Sequence, residues 1–139
     1  MELALNTVED IKEFDLKVFS RASGKLTAIE NYAGVPWEIK RVFIITAENF
    51  EIRGDHAHKD CNQAFVALSG QILLKSFDGS RETSFTLLPL EKSLCIPPHI
   101  WVNLEMSPGS ILMVLTDKLF DEDDYIRNKK DFFNFRKIE

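Results

Sequence analysis

The chain has no apolar run long enough for a membrane helix, no Lys/Arg cluster longer than a pair, only two cysteines and only three histidines. Each shortage excludes something. Without some 18 or more consecutive apolar residues the sequence offers no α-helical span. The opening MELALNTVEDIKEFD mixes acidic and apolar residues without a basic n-region or a small-residue cleavage site, so no secretory leader is read there and a cytoplasmic home is expected. A formal net charge of -5 without a basic stretch lacks the electrostatic footprint of a nucleic-acid binder; any phosphate the protein holds is expected to belong to a small ligand. Cys61 and Cys95 lie far apart and outside any CxxC or Cys/His zinc spacing, which reads as two buried reduced thiols rather than a bridge or a metal clip. There is no internal repeat and no low-complexity stretch.

What is present is 139 residues, 45% hydrophobic and 28% charged, enough for one core and read as a single domain over 1–139. Short apolar runs at 39–46, 64–68, 71–77, 85–88 and 111–116 are expected to be strands. Ser69-Gly70, Asp78-Gly79, Pro97-Pro98 and Pro108-Gly109 punctuate them as turn formers, and Asp-Gly between apolar runs signals a hairpin. Apolar residues at successive positions, as in Phe43-Ile44-Ile45 and Phe65-Val66, predict strands covered on both faces, either in a closed double sheet or at a subunit interface. The fold class predicted is all-β, a jelly-roll antiparallel β-barrel. The segment LFDEDDYIRNKKDFFNF predicts a short C-terminal helix, with Asp121 to Asp124 in its first turn and Tyr125, Ile126, Lys129, Phe132 and Phe133 on one face. The stretch from Glu30 to Trp37 reads as the most mobile loop.

The most informative residues are Arg53-Gly54-Asp55-His56-Ala57-His58. In an extended strand, residues two apart share a face at about 7 Å, so both imidazoles would face one cavity. Gln63 follows His58 after four residues, and Gly70 closes the segment. A glycine, His-x-His, a further ligand position and a final glycine resemble the first cupin motif, with Gln63 in place of the usual acidic ligand. In metal-binding cupins a fourth histidine comes from a later strand; within Ile96-Pro97-Pro98-His99-Ile100-Trp101-Val102-Asn103 that place falls on Val102, and His99 would reach it only through an odd register slip. His99 reads instead as a turn residue beside two prolines. Two imidazoles are too few for a transition-metal site, so His56 and His58 are read as acid/base groups with no metal and no cofactor.

Within the cupins, KRVF, RGDHAHKDCNQ, SGQILLKSFDG, IPPHIW and the tail FDEDDYIRNKKDF resemble the dTDP-sugar 3,4-ketoisomerases. The resemblance spans Gly24 to Phe133 and implies isomerisation of dTDP-4-keto-6-deoxyglucose to a 3-keto sugar, which an aminotransferase then consumes on the way to a deoxyamino sugar. It departs from the family at Phe43 to Thr46, where tyrosines are common, at Ser23-Gly24 and at Val102. Moving a carbonyl from C4 to C3 requires loss of the C3 proton, an enediol and protonation at C4; positioned imidazoles suit each transfer, and such help typically gives ~10²–10⁴-fold. Gln63 or a protonated histidine is a candidate donor to the enediolate. Arg41 and Arg53 are candidates for the diphosphate, although Arg41 can equally pair with Glu30 or Glu38. Trp101 is a candidate to stack on sugar or thymine, or else a core residue. A homodimer that hides sheet edges and apolar surface is expected. Three other readings stay open: a 3,5-epimerase on the same kind of barrel, which exchange at C5 would reveal, a sugar-nucleotide-binding cupin without turnover, and a metal-dependent dioxygenase, which near-stoichiometric iron or zinc bound through His56 and His58 would reveal.

Overall fold

The computed structural model describes residues 4–138. Its strands are β1 (Lys12–Asp15), β2 (Lys17–Arg21), β3 (Gly24–Ala28), β4 (Glu30–Asn31), β5 (Gly34–Val35), β6 (Arg41–Thr46), β7 (Glu51–His58), β8 (Gln63–Ser69), β9 (Ile72–Phe77), β10 (Glu82–Leu87), β11 (Lys92–Ile96), β12 (Trp101–Met106), β13 (Ile111–Thr116) and β14 (Tyr125–Ile126). One helix, α1 (Lys129–Arg136), follows them. Ten of the strands form two antiparallel five-stranded sheets, β1-β11-β8-β13-β6 and β10-β9-β12-β7-β14. The expected jelly-roll layering is there, but the sheets meet as a sandwich, not a hydrogen-bonded closed barrel: β6 ends one sheet and the short β14 ends the other.

Alternation builds the interior. Ile72 and Leu74 of β9, Leu104 and Met106 of β12, Leu112 and Val114 of β13, and Phe65 and Ala67 of β8 all point into one core between the sheets. Each large apolar side chain so buried contributes about 1.5–3 kcal/mol of transfer free energy. The intervening residues of β8, Ala64 and Val66, are also fully buried, because Leu16, Val35, Trp37 and Ile39 cover that outer face. Phe65-Val66 thus has both faces covered, as expected. Phe43-Ile44-Ile45 does not: Phe43 and Ile45 pack inward, while Ile44 is 56% exposed.

The turns behave as their residues dictate. Asp78 accepts from the Ser80 and Arg81 N–H groups at 2.9 and 2.8 Å, closing the β9–β10 hairpin. Gly70 carries the chain from one sheet to the other at φ +74°, where a Cβ would come within 2.8 Å of the Ser110 backbone. The stretch from Glu30 to Trp37, expected as a loose loop, is tied down: β4 pairs with β5, and Val35 is 1% exposed.

The predicted C-terminal helix starts later than its residue pattern suggested. Glu122–Asp124 is a single 3-10 turn capped by Asp121, Tyr125 and Ile126 pair with His58 and Ala57, and α1 begins only after Asn128, whose side chain accepts from the Asp131 N–H at 2.9 Å. The free edge of β7 competes with helix formation for the backbone of Tyr125 and Ile126, and wins. Phe132 is fully buried on the outer face of the second sheet beside Ala57, Trp101 and Ile126, as its place on the apolar face required. Among the described residues no helix is long and apolar enough to cross a membrane.

Candidate active site

β7 delivers the two histidines, but not as a regular strand. Gly54 and Asp55 both adopt positive φ, 77° and 61°, and the pairing with β12 slips between Val102 and Asn103, so β7 carries one extra residue there. This β-bulge needs its glycine: a Cβ on Gly54 would stand 3.1 Å from the Val102 carbonyl oxygen. The bulge also resets the side-chain alternation. Arg53 opposite Leu104 and His56 opposite Val102 lie on the same inward face although they are three residues apart. A regular strand would have turned Arg53 away from the imidazoles.

That face forms one wall of a cavity of about 300 Å³, whose lining includes Arg53, His56, Gln63, Arg41, Tyr125 and Arg127. A narrow extension lined by His58 and Asp124 shares Arg41, Gln63 and Tyr125 with it, so His58, 6% exposed, forms the floor of the same cleft. The two imidazole centroids are 5.1 Å apart, and the Tyr125 ring packs on both, 4.9 Å from His56 and 4.4 Å from His58. Gln63, 5% exposed, sits where β8 enters the cleft. Arg41 lies over the Phe43 and Phe120 rings at 4.5 and 5.2 Å, not against Glu30 or Glu38. Arg53 is half exposed, with a loose 3.7 Å contact to Glu51.

Trp101 is placed elsewhere. Its neighbour Val102 points into the cleft, so Trp101 points out through the other face of the sheet, where its indole N–H donates to Asp55 at 3.0 Å and its ring packs on Phe132. The stacking role at the cleft is therefore withdrawn, and strand parity is the reason. His99 is structural: its Nδ1 accepts from the Asn6 N–H at 3.1 Å, which leaves Nε2 to donate to the Lys59 carbonyl at 3.1 Å.

The tail supplies three residues that the sequence reading did not assign to the site. Asp124 Oδ2 accepts from His58 Nδ1 at 2.7 Å, while its Oδ1 accepts from the Asp60 N–H at 2.7 Å. Tyr125 covers the imidazoles. Arg127 lies 4.2 Å over the Tyr125 ring and holds Glu122 through two bonds of 2.6 and 2.8 Å. The signal for them in the sequence was the Asp124-Tyr125-Ile126-Arg127 stretch itself, masked by its compatibility with a helix.

Burial drives the electrostatics. His56 is held down to about 4, first by loss of hydration and next by the neighbouring His58. His58 is also lowered by burial, with the bond to Asp124 opposing but not overcoming it. Both imidazoles are neutral at pH 7. With Asp124 accepting from Nδ1, the lone pair of His58 resides on Nε2, which is buried and without a protein partner among the described residues. At the positions where a metal-binding cupin places its ligands, neutral Gln63 and apolar Val102 do not suit a divalent cation. His58, Cys61 and Asp124 also converge within 4.8 Å, but Asp124 already occupies Nδ1 and burial pushes the Cys61 thiol up to about 12.

Sheets and site together define a cupin-type protein whose cleft is lined by imidazole and guanidinium groups. Known proteins narrow the class. The family described as FdtA, WxcM-like, C-terminal matches residues 9–137, and the chain belongs to it. It is 34% identical over 128 residues to the TDP-4-oxo-6-deoxy-alpha-D-glucose-3,4-oxoisomerase of Aneurinibacillus thermoaerophilus, covering 91% of this chain and 90% of that one. The sugar 3,4-ketoisomerase QdtA of Thermoanaerobacterium thermosaccharolyticum, solved with TDP, superposes with a TM-score of 0.88 at 30% identity, covering 94% of this chain and 96% of that one. The TDP-quinovose 3,4-ketoisomerase WlaRB of Campylobacter jejuni gives 0.84 at 32% identity, over 91% and 99%. A dTDP-4-dehydrorhamnose 3,5-epimerase of Elizabethkingia anophelis shares the fold at 14% identity.

Proposed function

We propose that this protein is a sugar-nucleotide 3,4-ketoisomerase acting on dTDP-4-keto-6-deoxyglucose, with His56 and His58 as its acid/base pair and Arg41, Arg53 and Arg127 gathered for the diphosphate. The observation that carries the reading is the neutral His58, oriented by Asp124 so that Nε2 is its basic atom, beside a second neutral imidazole at 5.1 Å. Family membership supplies the substrate class.

The chemistry follows from that geometry. His58 Nε2 takes the C3 proton; the C3–H electron pair forms the C3–C4 double bond, and the C4 carbonyl oxygen becomes the enediolate oxygen. Gln63 and Arg41, which line both the cleft and its His58 extension, are the candidate donors to that charge. The C3 hydroxyl then loses its proton as its oxygen becomes the new carbonyl, the double-bond pair takes a proton at C4, and His56 relays between the oxygens. No proton is gained or lost overall, and the pair ends as it began. Neutral bases are needed for the first transfer, and burial, which lowers both imidazoles, keeps them neutral at pH 7.

The test is an NMR time course of dTDP-4-keto-6-deoxyglucose in D₂O with wild-type protein and His58→Asn. A 3-keto product carrying deuterium at C4, absent with the variant, is expected. Exchange at C5 would make the protein an epimerase instead, and binding without any exchange would make it a sugar-nucleotide-binding module.

A further inference from the structure

The strand that carries the imidazoles is held from behind. On the outer face of β7 the residues alternating with His56 and His58 are Asp55 and Ala57, and each is fastened. Ala57 is fully buried in a cluster with Trp101, Ile126 and Phe132, the last supplied by α1. Asp55 is the extra residue of the bulge: β12 pairs Val102 with His56 and then Asn103 with Gly54, passing Asp55 over. Its φ is +61°, a left-handed backbone that a residue with a Cβ keeps only when its surroundings hold it there. The Trp101 indole N–H supplies that hold, donating to Asp55 Oδ1 at 3.0 Å.

The bond sits beside the pair it would control. Asp55 precedes His56 and Trp101 precedes Val102, the residue opposite His56, so the bond ties β7 to β12 diagonally where the ladder slips. Trp101 is itself anchored: it is 4% exposed, its ring centroid is 5.6 Å from that of Phe132, and Lys129 Nζ lies 5.2 Å over it. Neither Asp55 nor Trp101 lines the cleft.

We propose that Asp55 and Trp101 are positioning residues for His56: their bond locks the bulge that turns His56 into the cleft, and α1 backs it through Phe132. This rests on the reading of His56 as half of the acid/base pair. A change at either residue reaches the chemistry only through the placement of that ring.

Three single variants and one double variant test this. Trp101→Phe deletes the donor and keeps a ring; Asp55→Gly deletes the acceptor and keeps the left-handed backbone; Asp55→Asn keeps both. Turnover of dTDP-4-keto-6-deoxyglucose, melting temperature and the NMR titration of the His56 ring are measured for each. In Trp101→Phe and in Asp55→Gly kcat is expected to fall about 10-fold, and no further in the double variant, because a displaced group loses rate steeply and both changes break one bond. Asp55→Asn is expected to keep the wild-type rate, and all four to melt near wild type.

The titration separates positioning from packing. The charged and titratable groups facing His56 are His58 and Asp55 on its own strand and Tyr125 and Arg127 from the tail; Val102 opposite it carries none. Wild-type His56 is expected to stay neutral down to about pH 4, and to take its proton nearer the ordinary 6.5 in Trp101→Phe and Asp55→Gly as the ring gains water. Loss of the Asp55 carboxylate alone would move it the other way, so a rise reports displacement of the ring. Wild-type rates in both variants, a loss of rate with the His56 titration unmoved, or a loss that Asp55→Asn shares would each overturn the proposal. A wild-type protein that turns over no substrate would sink the ketoisomerase reading instead, and the titration alone would then decide whether the bond places His56.

Discussion

The floor of the cleft and the corner around His99 each bury a neutral imidazole, and they use it in opposite ways. At the corner both ring nitrogens are bonded to backbone, to Asn6 and Lys59, and Arg136 adds two bonds to the Asn6 and His99 carbonyls at 2.8 and 2.7 Å. In the cleft His58 has one nitrogen bonded to Asp124 and the other without a partner among the described residues. A histidine with both nitrogens satisfied holds structure together; one with a single nitrogen satisfied has chemistry left to do, at a cost in burial that lowers its proton affinity. The difference lies in partners, since both rings are less than one-tenth exposed.

The sharpest break of that contrast is His58→Asn, expected to lower kcat at least ~10³-fold while the melting temperature stays within a few degrees. Asp124→Asn comes next, with kcat down about 10²-fold and KM nearly unchanged, because an amide can donate to Nδ1 and move the imidazole proton onto Nε2. Asp124 raises the proton affinity of His58, so the acid limb of the rate profile should also move to lower pH in this variant. A purely structural role would not shift that limb.

Stability offers the middle-sized effect. His56, His58 and His99 all titrate below their ordinary value in the folded protein. Between that ordinary value and the folded one the unfolded chain binds more protons, so stability falls as pH drops from about 6.5 toward 4. His56, held near 4, accounts for on the order of 3 kcal/mol of that loss. Urea unfolding at pH 7 and pH 5 should show the slope, and His56→Asn should flatten it. His99→Ala is expected to cost about 1–3 kcal/mol through its orphaned neighbours, with kcat of the folded fraction intact. Smallest is Gly54→Ala, about 1–2 kcal/mol from a left-handed backbone and a crowded Val102 carbonyl, read in the melting temperature.

Much of this was legible beforehand. The strands, the Asp78-Gly79 hairpin and the strand carrying His56 and His58 follow from local alternation and turn chemistry, which act over a few residues. Val102 was read as filling the place of a fourth ligand, and it does stand opposite His56. Arg53 was named for its guanidinium, yet on a regular strand it would have faced away; a bulge detected only through pairing with β12 brought it round. Trp101 failed by the same parity. Asp124, Tyr125 and Arg127 were hidden because their residues suit a helix, and only the open edge of β7 pulls them into a strand.

By itself, then, the sequence determined the all-β architecture of short antiparallel strands, the paired imidazoles and the family to which the chain belongs, since each depends on residue identity and near-neighbour spacing; it did not determine that the sheets meet as a sandwich and not a closed barrel. Tertiary structure alone decided which nitrogen of His58 is basic, that the tail closes the cleft, and which arginines converge there. Those depend on contacts between residues tens of positions apart, 66 in the case of His58 and Asp124, where register and edge pairing outweigh local preference.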